Sequence, residues 1–129
     1  MSQLRCMVVT PEKTELDVNS SSITVPLFDG ELGILVGHSP LVGRLGFGML
    51  KIKTDGGVDE YFVEGGFVQV AGNEVSVLTD KVSRRADVSE QLASTAMKEA
   101  LDMPKAQPEQ SAARDKAVAR ARAMSRAAK

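Results

Sequence analysis

The stretch FDGELGILVGHSPLVGRLGFGMLKI, residues 28–52, decides the fold of this 129-residue chain. Six glycines divide it into short apolar runs, and a glycine within a strand typically marks a turn, a bulge or a close approach of two backbones. Asp29-Gly30 and residues 37–40 are turn signals, because proline fixes its own φ and pushes the preceding residue out of the helical region. The stretch therefore predicts a compact antiparallel sheet that turns sharply.

Further strand patterns lie on both sides of this stretch. Apolar or alternating runs are separated by turn signals such as Asp55-Gly56-Gly57 and Gly72-Asn73, and Gly65-Gly66 is expected to break one strand from the next. About ten short strands at close spacing are typical of an all-β sandwich or barrel. Outside the central glycine-rich part, the predicted strands cover residues 4–9, 12–18, 23–27, 49–53, 58–64, 67–71 and 74–79.

The composition changes after residue 85. Beyond it there is no glycine, and Ala, Lys, Glu, Gln, Arg and Met, all good helix formers, dominate. Asp87 or Ser89 can cap a first helix, and two prolines separate it from a second helix over about residues 109–127. The predicted fold is mainly β with C-terminal α: an N-terminal ten-stranded antiparallel β-sandwich domain over residues 1–85, then an antiparallel two-helix hairpin over residues 86–129.

Each predicted helix has a stripe of small apolar residues. Spacings of three and four place such residues on one side of a helix, where they can face a neighbouring helix. Alanine buries little surface, so at about 25 cal/mol per Å² the second helix is held weakly and can detach. The stripes are Leu92, Ala93, Ala96, Met97, Ala100 and Leu101 in the first helix, and Ala113, Ala117, Ala121, Met124 and Ala128 in the second.

Charge and cysteine content exclude several classes. The net charge of −1 argues against a general nucleic-acid-binding protein. Residues 1–85 carry eight basic and eleven acidic residues, whereas residues 110–129 carry six basic residues and one acidic residue, which suggests an acidic partner for the C-terminal segment. A single cysteine provides no disulfide framework, no apolar run reaches the roughly 20 residues of a membrane span, and no signal or transit peptide is recognisable. We therefore expect an intracellular protein.

The residues that could support catalysis are few. His38 is the only histidine, and its neighbour Ser39 lacks a nucleophile-elbow context, so a turn or contact role for both is favoured. Asp29 and Glu31 lack the additional acidic ligands of a calcium loop, and the glycines form neither phosphate-loop motif. We therefore predict no catalytic residues, no metal site and no cofactor.

The order and spacing of several motifs go further, because together they closely resemble the epsilon subunit of F-type (rotary, proton-translocating) ATP synthases. The resemblance covers roughly residues 3–85, and the C-terminal part agrees only in having two helices. The motifs are Val25-Pro26, the run from Asp29-Gly30-Glu31 to Gly37-His38-Ser39-Pro40-Leu41, then Gly48-Met49-Leu50-Lys51-Ile52, Gly65-Gly66-Phe67-Val68-Gln69-Val70, and Val75-Ser76-Val77-Leu78-Thr79-Asp80.

The resemblance implies a non-catalytic subunit of the central stalk, which couples proton flow through the membrane ring to ATP synthesis. It implies a peripheral location on the cytoplasmic face of the bacterial inner (plasma) membrane, with membrane contact only through the complex. The resemblance implies three partners. The gamma subunit is contacted through His38, Ser39, Pro40 and Leu41, and the ring of c subunits through Asp29, Gly30 and Glu31. The third is the catalytic beta subunit: when the hairpin extends, it meets an acidic segment of this subunit and blocks ATP hydrolysis, through Arg114, Lys116, Arg120, Arg122 and Arg126.

Two positions depart from the family pattern. Some bacterial members bind ATP through a motif (Ile/Leu)-Asp-x-x-Arg-Ala at the start of the first helix. Here Asp87 is present, but Glu90 stands at the arginine position and reverses the charge offered to a phosphate. We therefore predict no ATP binding. Val36 replaces the proline that many members carry before Gly37, a mild change.

Two other classes of function remain open at this stage. A free-standing β-sandwich that binds a peptide or a carbohydrate would normally expose aromatic side chains, of which this chain has only four Phe and one Tyr. A small hydrolase or metalloenzyme would depend on the single histidine. Replacement of His38 separates the classes, because loss of a catalytic rate indicates an enzyme and loss of assembly indicates a rotor subunit.

Overall fold

The computed structural model describes residues 3–129, which form two compact units that divide between Arg84 and Arg85. The first unit contains eight strands: β1 (Leu4–Val9), β2 (Thr14–Ser20), β3 (Ser22–Leu27), β4 (Gly30–Leu35), β5 (Leu41–Thr54), β6 (Gly57–Ala71), β7 (Glu74–Leu78) and β8 (Val82–Arg84). The second contains a 3₁₀ turn (Arg85–Asp87) and the helices α1 (Glu90–Leu101) and α2 (Pro108–Ala127). This mainly β fold with a C-terminal helical hairpin confirms the predicted class.

The number of strands is eight within the described residues, not the predicted ten. Several glycines that were expected to break strands lie inside them instead. β5 runs unbroken for 14 residues through Gly43, Gly46 and Gly48, and β6 runs for 15 residues through Gly65-Gly66. Gly65 and Gly66 adopt positive φ, and Gly46 and Gly48 let β3 and the turn after it approach closely, so β5 and β6 bend without interrupting the hydrogen-bonded ladder.

The strands follow the order β2-β1-β7-β6-β5-β3-β4, and the short β8 also pairs with β6. All neighbouring pairs are antiparallel except β1 and β7, which are parallel, so the sheet is not purely antiparallel as predicted. A parallel pair needs a long crossover, and here the chain between β1 and β7 forms most of the sandwich. β1 thereby ties the start of the unit to its end.

The bend in the β5–β6 hairpin creates the two layers of the sandwich. β5 pairs with β3 in two registers, with a shift between Thr24 and Leu27 that leaves extra residues on β5. Gly48 lies at this shift, where a Cβ atom would stand 2.8 Å from Pro26 Cβ. On β6, Gly66 adopts φ +107°, which favours glycine. The paired strands therefore turn together and each contributes to both layers.

The core cluster between the layers is aliphatic apart from Cys6, and the aromatic side chain of Phe62 is also fully buried. Along β1, buried and more exposed residues alternate, so that Leu4, Cys6 and Val8 point inward with no exposed surface. Burying each large aliphatic side chain contributes about 1.5–3 kcal/mol. The other members of the core cluster are Ile23, Val25, Ile34, Leu45, Leu50, Ile52, Val63, Val68, Val70, Val75 and Val77.

The helical unit begins with a defined cap. The Ser89 hydroxyl accepts a hydrogen bond from the Leu92 N–H at 3.1 Å, so Ser89 rather than Asp87 is the N-cap of α1. α2 begins with a proline at its first position, where the missing N–H is not needed. Of the predicted α1 stripe, Ala93 and Ala100 are buried, whereas Leu92 and Leu101 are each 52% exposed.

Candidate interaction surfaces

The two-residue turn between β3 and β4 forms an acidic hairpin tip. Asp29 and Glu31 are exposed, and Gly30 between them adopts φ +140°. Phe28, the first turn residue, is 70% exposed; its N–H donates to the Arg44 carbonyl oxygen at 2.8 Å, and the Arg44 guanidinium lies 4.8 Å from its ring centroid. This cation–π contact and backbone bond hold the tip against β5. The tip can therefore present two carboxylates and an aromatic ring to a partner.

The turn between β4 and β5 is held by bonds to its own backbone and to a distant residue. Gly37 adopts φ +85°, and its N–H donates to the Asn73 side-chain oxygen at 3.1 Å. The His38 N–H donates to the Leu35 carbonyl at 3.1 Å, and Nδ1 lies 2.7 Å from the Ser39 carbonyl oxygen. A carbonyl only accepts, so Nδ1 carries the proton in this arrangement. The imidazole therefore bonds the Ser39 backbone rather than its hydroxyl, which is not the geometry of a hydrolase pair.

The hairpin tip and the His38 turn do not form one site. They lie at opposite ends of β4, whose six residues span about 20 Å at 3.3 Å per residue. Ser39 and Pro40 are exposed, and Leu41 opens β5 opposite Val70. The predicted ring-contact and gamma-contact residues are thus two separate surfaces of the same unit.

Charged groups near the His38 turn form a small network at the start of β1. Arg5 donates from Nε and Nη2 to the two Asp17 carboxylate oxygens at 3.0 and 2.8 Å, and its Nη1 lies 3.7 Å from Glu74 Oε1. The bond to Arg5 lowers the pKa of Asp17 below its ordinary value, and the same pairing raises the pKa of Arg5. The Arg5 N–H donates to the Asn73 carbonyl at 2.8 Å, which connects the network to the turn.

The cations of α2 surround the helix rather than forming one face. At 3.6 residues per turn, Arg122 and Arg126 project from one side, and Lys116 and Arg120 lie about 120° around the helix. Arg114 is half-buried on the side of Ala121, and its Nε is a buried atom without a hydrogen-bond partner among the residues described. We call the five residues predicted to meet the beta subunit the latch residues, and a partner would have to enclose α2 to contact all of them: Arg114, Lys116, Arg120, Arg122 and Arg126.

The start of α1 carries the two acidic residues at which the sequence departs from or keeps the ATP-binding pattern of the family. Asp87 lies in the 3₁₀ turn and Glu90 opens α1, and both are exposed. Glu90 and Lys98 line a cleft of about 520 Å³ between α1 and α2, together with Met97 and Ala121. Within residues 3–129, no group of three or more His, Cys, Asp or Glu is placed to hold a metal ion, and no helix is long and apolar enough to cross a membrane.

Some contacts that organise these surfaces were not predicted. Asn73 was recognised only as part of a turn, and Arg85 only as a point where the composition changes. Asn73 bonds a residue 36 positions away, and Arg85 bonds residues 42 and 44 positions away. No local pattern indicates contacts at such separations. The Phe28–Arg44 contact likewise depends on the register of β3 against β5.

Comparisons with known proteins agree with this architecture. A family model described as "ATP synthase, Delta/Epsilon chain, beta-sandwich domain" matches residues 3–85. The ATP synthase epsilon chain of Rhodopirellula baltica is 46% identical over 126 residues, covering 98% of both chains. The epsilon chain of a Synechococcus species is 38% identical over 97 residues, covering 75% of this chain and 71% of that one.

Two solved structures share the fold. A chain in the mitochondrial ATP synthase of Euglena gracilis has a TM-score of 0.86 at 22% identity, covering 98% of this chain and 82% of that one. A chain in the central stalk and c-ring structure of the Tetrahymena thermophila mitochondrial ATP synthase has a TM-score of 0.80 at 19% identity, covering 99% and 98%. The family model and the full-length 46% identity establish the conclusion: the chain belongs to the ATP synthase epsilon-chain family.

Proposed function

We propose that this chain is a non-catalytic rotor subunit of a proton-translocating F-type ATP synthase, located peripherally on the cytoplasmic face of the bacterial inner membrane and bound to the membrane only through the complex. The single observation that carries the proposal is the 46% identity to an epsilon chain over 98% of both chains. In this role the chain couples proton flow through the membrane ring to ATP synthesis and needs no cofactor of its own.

The proposal assigns different partners to the two surfaces of the sandwich domain, residues 1–85. The acidic tip of Asp29, Gly30 and Glu31 faces the c-subunit ring, and the turn of His38, Ser39, Pro40 and Leu41 contacts the gamma subunit. Their separation along β4 supports this division, because one rigid domain can then touch two partners at once. The bond from Gly37 to Asn73 supports it further, since it fixes the shape of the gamma-facing turn.

The helical hairpin, residues 86–129, is the regulatory part in this proposal. When it extends, α2 contacts an acidic segment of the catalytic beta subunit and blocks ATP hydrolysis. The distribution of cations around α2 supports a partner that encloses the helix, since opposite sides of an extended α2 then both meet acidic groups. Attraction of this kind weakens with salt, so inhibition should fall as ionic strength rises.

The experiment measures ATP hydrolysis by the reconstituted catalytic subunits (the catalytic head) bound to the gamma subunit (the shaft). The rates are compared without addition, with the full chain, and with a chain cut after Arg85. Inhibition by the full chain alone, while both forms co-elute with the shaft, supports regulation by the hairpin. Equal rates with both forms bound leave a coupling subunit without inhibition, and failure of both to bind contradicts the rotor assignment.

A charge-matched pair of variants sharpens this experiment. Arg122→Gln combined with Arg126→Gln removes two exposed cations from α2, and Lys53→Gln combined with Lys81→Gln removes two exposed cations from the sandwich. If the α2 cations form the latch, only the first pair weakens inhibition. Equal effects would indicate that net charge, rather than the latch, controls the rate.

A further inference from the structure

The side chain of Arg85 joins the first residue of the helical unit to its last residues. Its Nε donates to the Ala127 carbonyl oxygen at 3.1 Å, and its Nη2 donates to the Lys129 carbonyl oxygen at 2.6 Å. Both bonds use one planar guanidinium, which holds two acceptors in a fixed geometry. Arg85 precedes α1 by only a few residues, so these bonds connect the base of α1 to the C-terminal end of α2.

The C-terminal end of α2 needs such donors. The last four carbonyls of a helix have no partner within it, and many helices satisfy them with a glycine in the left-handed conformation. α2 ends instead at Ala127 and Ala128, where the Ala128 N–H reaches back to the Met124 carbonyl. Arg85 supplies a donor to another of the last four carbonyls, that of Ala127, and its positive charge lies at the negative end of the helix dipole.

The other forces between the two helices are weak. The cleft between α1 and α2 is lined by Ala93 and Ala121 together with the larger Met97 and Leu101. Leu101 keeps 52% of its surface exposed, so the apolar contact across the cleft is incomplete. At the opposite end, the helices are connected by residues 102–107, which limit how far the chain can separate but not whether the helices part. Two hydrogen bonds from a charged donor are therefore a large share of what keeps the base of the hairpin together.

We propose that Arg85 is a clasp that holds the hairpin in its folded form and must release α2 before the hairpin can extend. Since the clasp closes on backbone carbonyls, it does not depend on the identity of the last side chains. The regulatory consequence rests on the proposed function: if the extended hairpin inhibits ATP hydrolysis, loss of the clasp increases inhibition. The clasp itself is a property of the isolated chain.

Native-state hydrogen exchange of the full chain tests the clasp directly. Most of the stability of a protein helix comes from its packing, so α2 loses protection when it detaches in the isolated chain. Amide protection in α2 therefore reports the ratio of closed to open hairpin even when the open form is rare. Arg85→Gln should lower the protection of α2 amides such as that of Met124 about tenfold, the effect expected on losing two charge-assisted bonds at a partly exposed site. Protection of sandwich amides such as that of Val68 should not change.

Two further variants make the result interpretable. Arg84→Gln removes the same charge one position earlier, from an exposed residue in β8, and should leave α2 protection unchanged. Arg85→Lys keeps the charge but lacks the planar fork, so its protection should lie between those of the wild type and Arg85→Gln. The clasp is refuted if α2 protection in Arg85→Gln is within threefold of Arg84→Gln, or if sandwich protection falls equally.

Hydrolysis assays then separate the clasp from the proposed function. With the reconstituted head and shaft, Arg85→Gln should inhibit at a lower concentration than the wild type and Arg84→Gln. Unchanged inhibition despite faster exchange would show that the clasp does not control regulation. If the wild-type chain neither binds nor inhibits, the proposed function is wrong, and the exchange result still decides whether the clasp exists.

Discussion

Replacing Gly66 by alanine should destabilise the sandwich more than the same replacement at Gly33, Gly48 or Gly65. Gly66 has φ +107°, which costs about 1–2 kcal/mol for a residue with a Cβ. An added Cβ would overlap the Leu78 carbonyl oxygen and stand 2.8 Å from the Thr79 Cα. To clear this overlap, β6 must move from the segment after β7, which strains the 2.7 Å bond from the Thr79 hydroxyl to the Gly65 carbonyl.

The expected loss in the free energy of unfolding is about 2–5 kcal/mol, because the φ cost adds to the roughly 1–3 kcal/mol that overpacking and the resulting backbone shift typically cost. For a domain of this size, each kcal/mol lowers Tm by about 4–8 °C. The fluorescence of Tyr61, the only Tyr in a chain without Trp, reports the melting of the sandwich because Tyr61 lies in β6.

Two other glycines provide matched controls for this substitution. Gly65→Ala meets nothing closer than Asp80 Oδ2 at 4.0 Å but has φ +74°, so it should show the φ cost alone. Gly33→Ala, in β4, has neither problem and should be neutral or slightly stabilising. If Gly66→Ala melts within 2 °C of Gly65→Ala, the overlap with Leu78 does not control stability and the reasoning is refuted.

Three other predictions concern the sandwich. Leu50→Ala should cost about 2–5 kcal/mol in urea unfolding, whereas Val42→Ala, at a site 71% exposed, should change stability by less than about 0.5 kcal/mol; similar losses would contradict the assigned core. Because Arg5 lowers the pKa of Asp17 below its ordinary 3.8, this pair stabilises the fold above about pH 4, and the contribution is lost as pH falls through the pKa of Asp17 in the folded state. In a plot of the urea midpoint against pH, Arg5→Gln should therefore flatten the acid side. An unchanged slope would exclude this linkage between protonation and folding. Burial raises the pKa of the Cys6 thiol to about 12, so iodoacetamide at pH 8 should label this thiol only after the chain unfolds. The free energy of unfolding should also decline as pH rises above 9, where the thiol ionises in the unfolded chain but not in the folded one. Labelling of the folded chain would contradict the burial of Cys6.

Sequence patterns predicted where strands lie better than how they are divided. An apolar, β-favouring run located β1 and alternation located β7, both nearly to the residue. The glycines of β5 and β6 were misinterpreted as strand ends because a glycine that bends a strand and one that ends it look alike in sequence. Only the pairing partner distinguishes them: Gly48 faces Pro26 across the register shift, and the ladder continues past it.

The sequence predicted the positions of the candidate surfaces but not all of the contacts that hold them. Turn chemistry located the acidic tip and the His38 turn, because Asp-Gly and Ser-Pro carry local backbone preferences. The positions of the cations on α2 follow from helical periodicity, but the partial burial of Arg114 does not. The bonds made by Asn73 and Arg85 could not be predicted, since both depend on how distant segments meet after folding.

The bent hairpin of β5 and β6 also has a mechanical consequence. Because both strands cross the bend, the two layers are joined by continuous main chain as well as by packed side chains. A sideways force on one layer is passed to the other through two strands whose mutual hydrogen bonds share the load in shear. Such bonds resist as a group rather than opening one after another. The domain should therefore twist little under torque, as the proposed role of a subunit that rotates together with the gamma subunit requires.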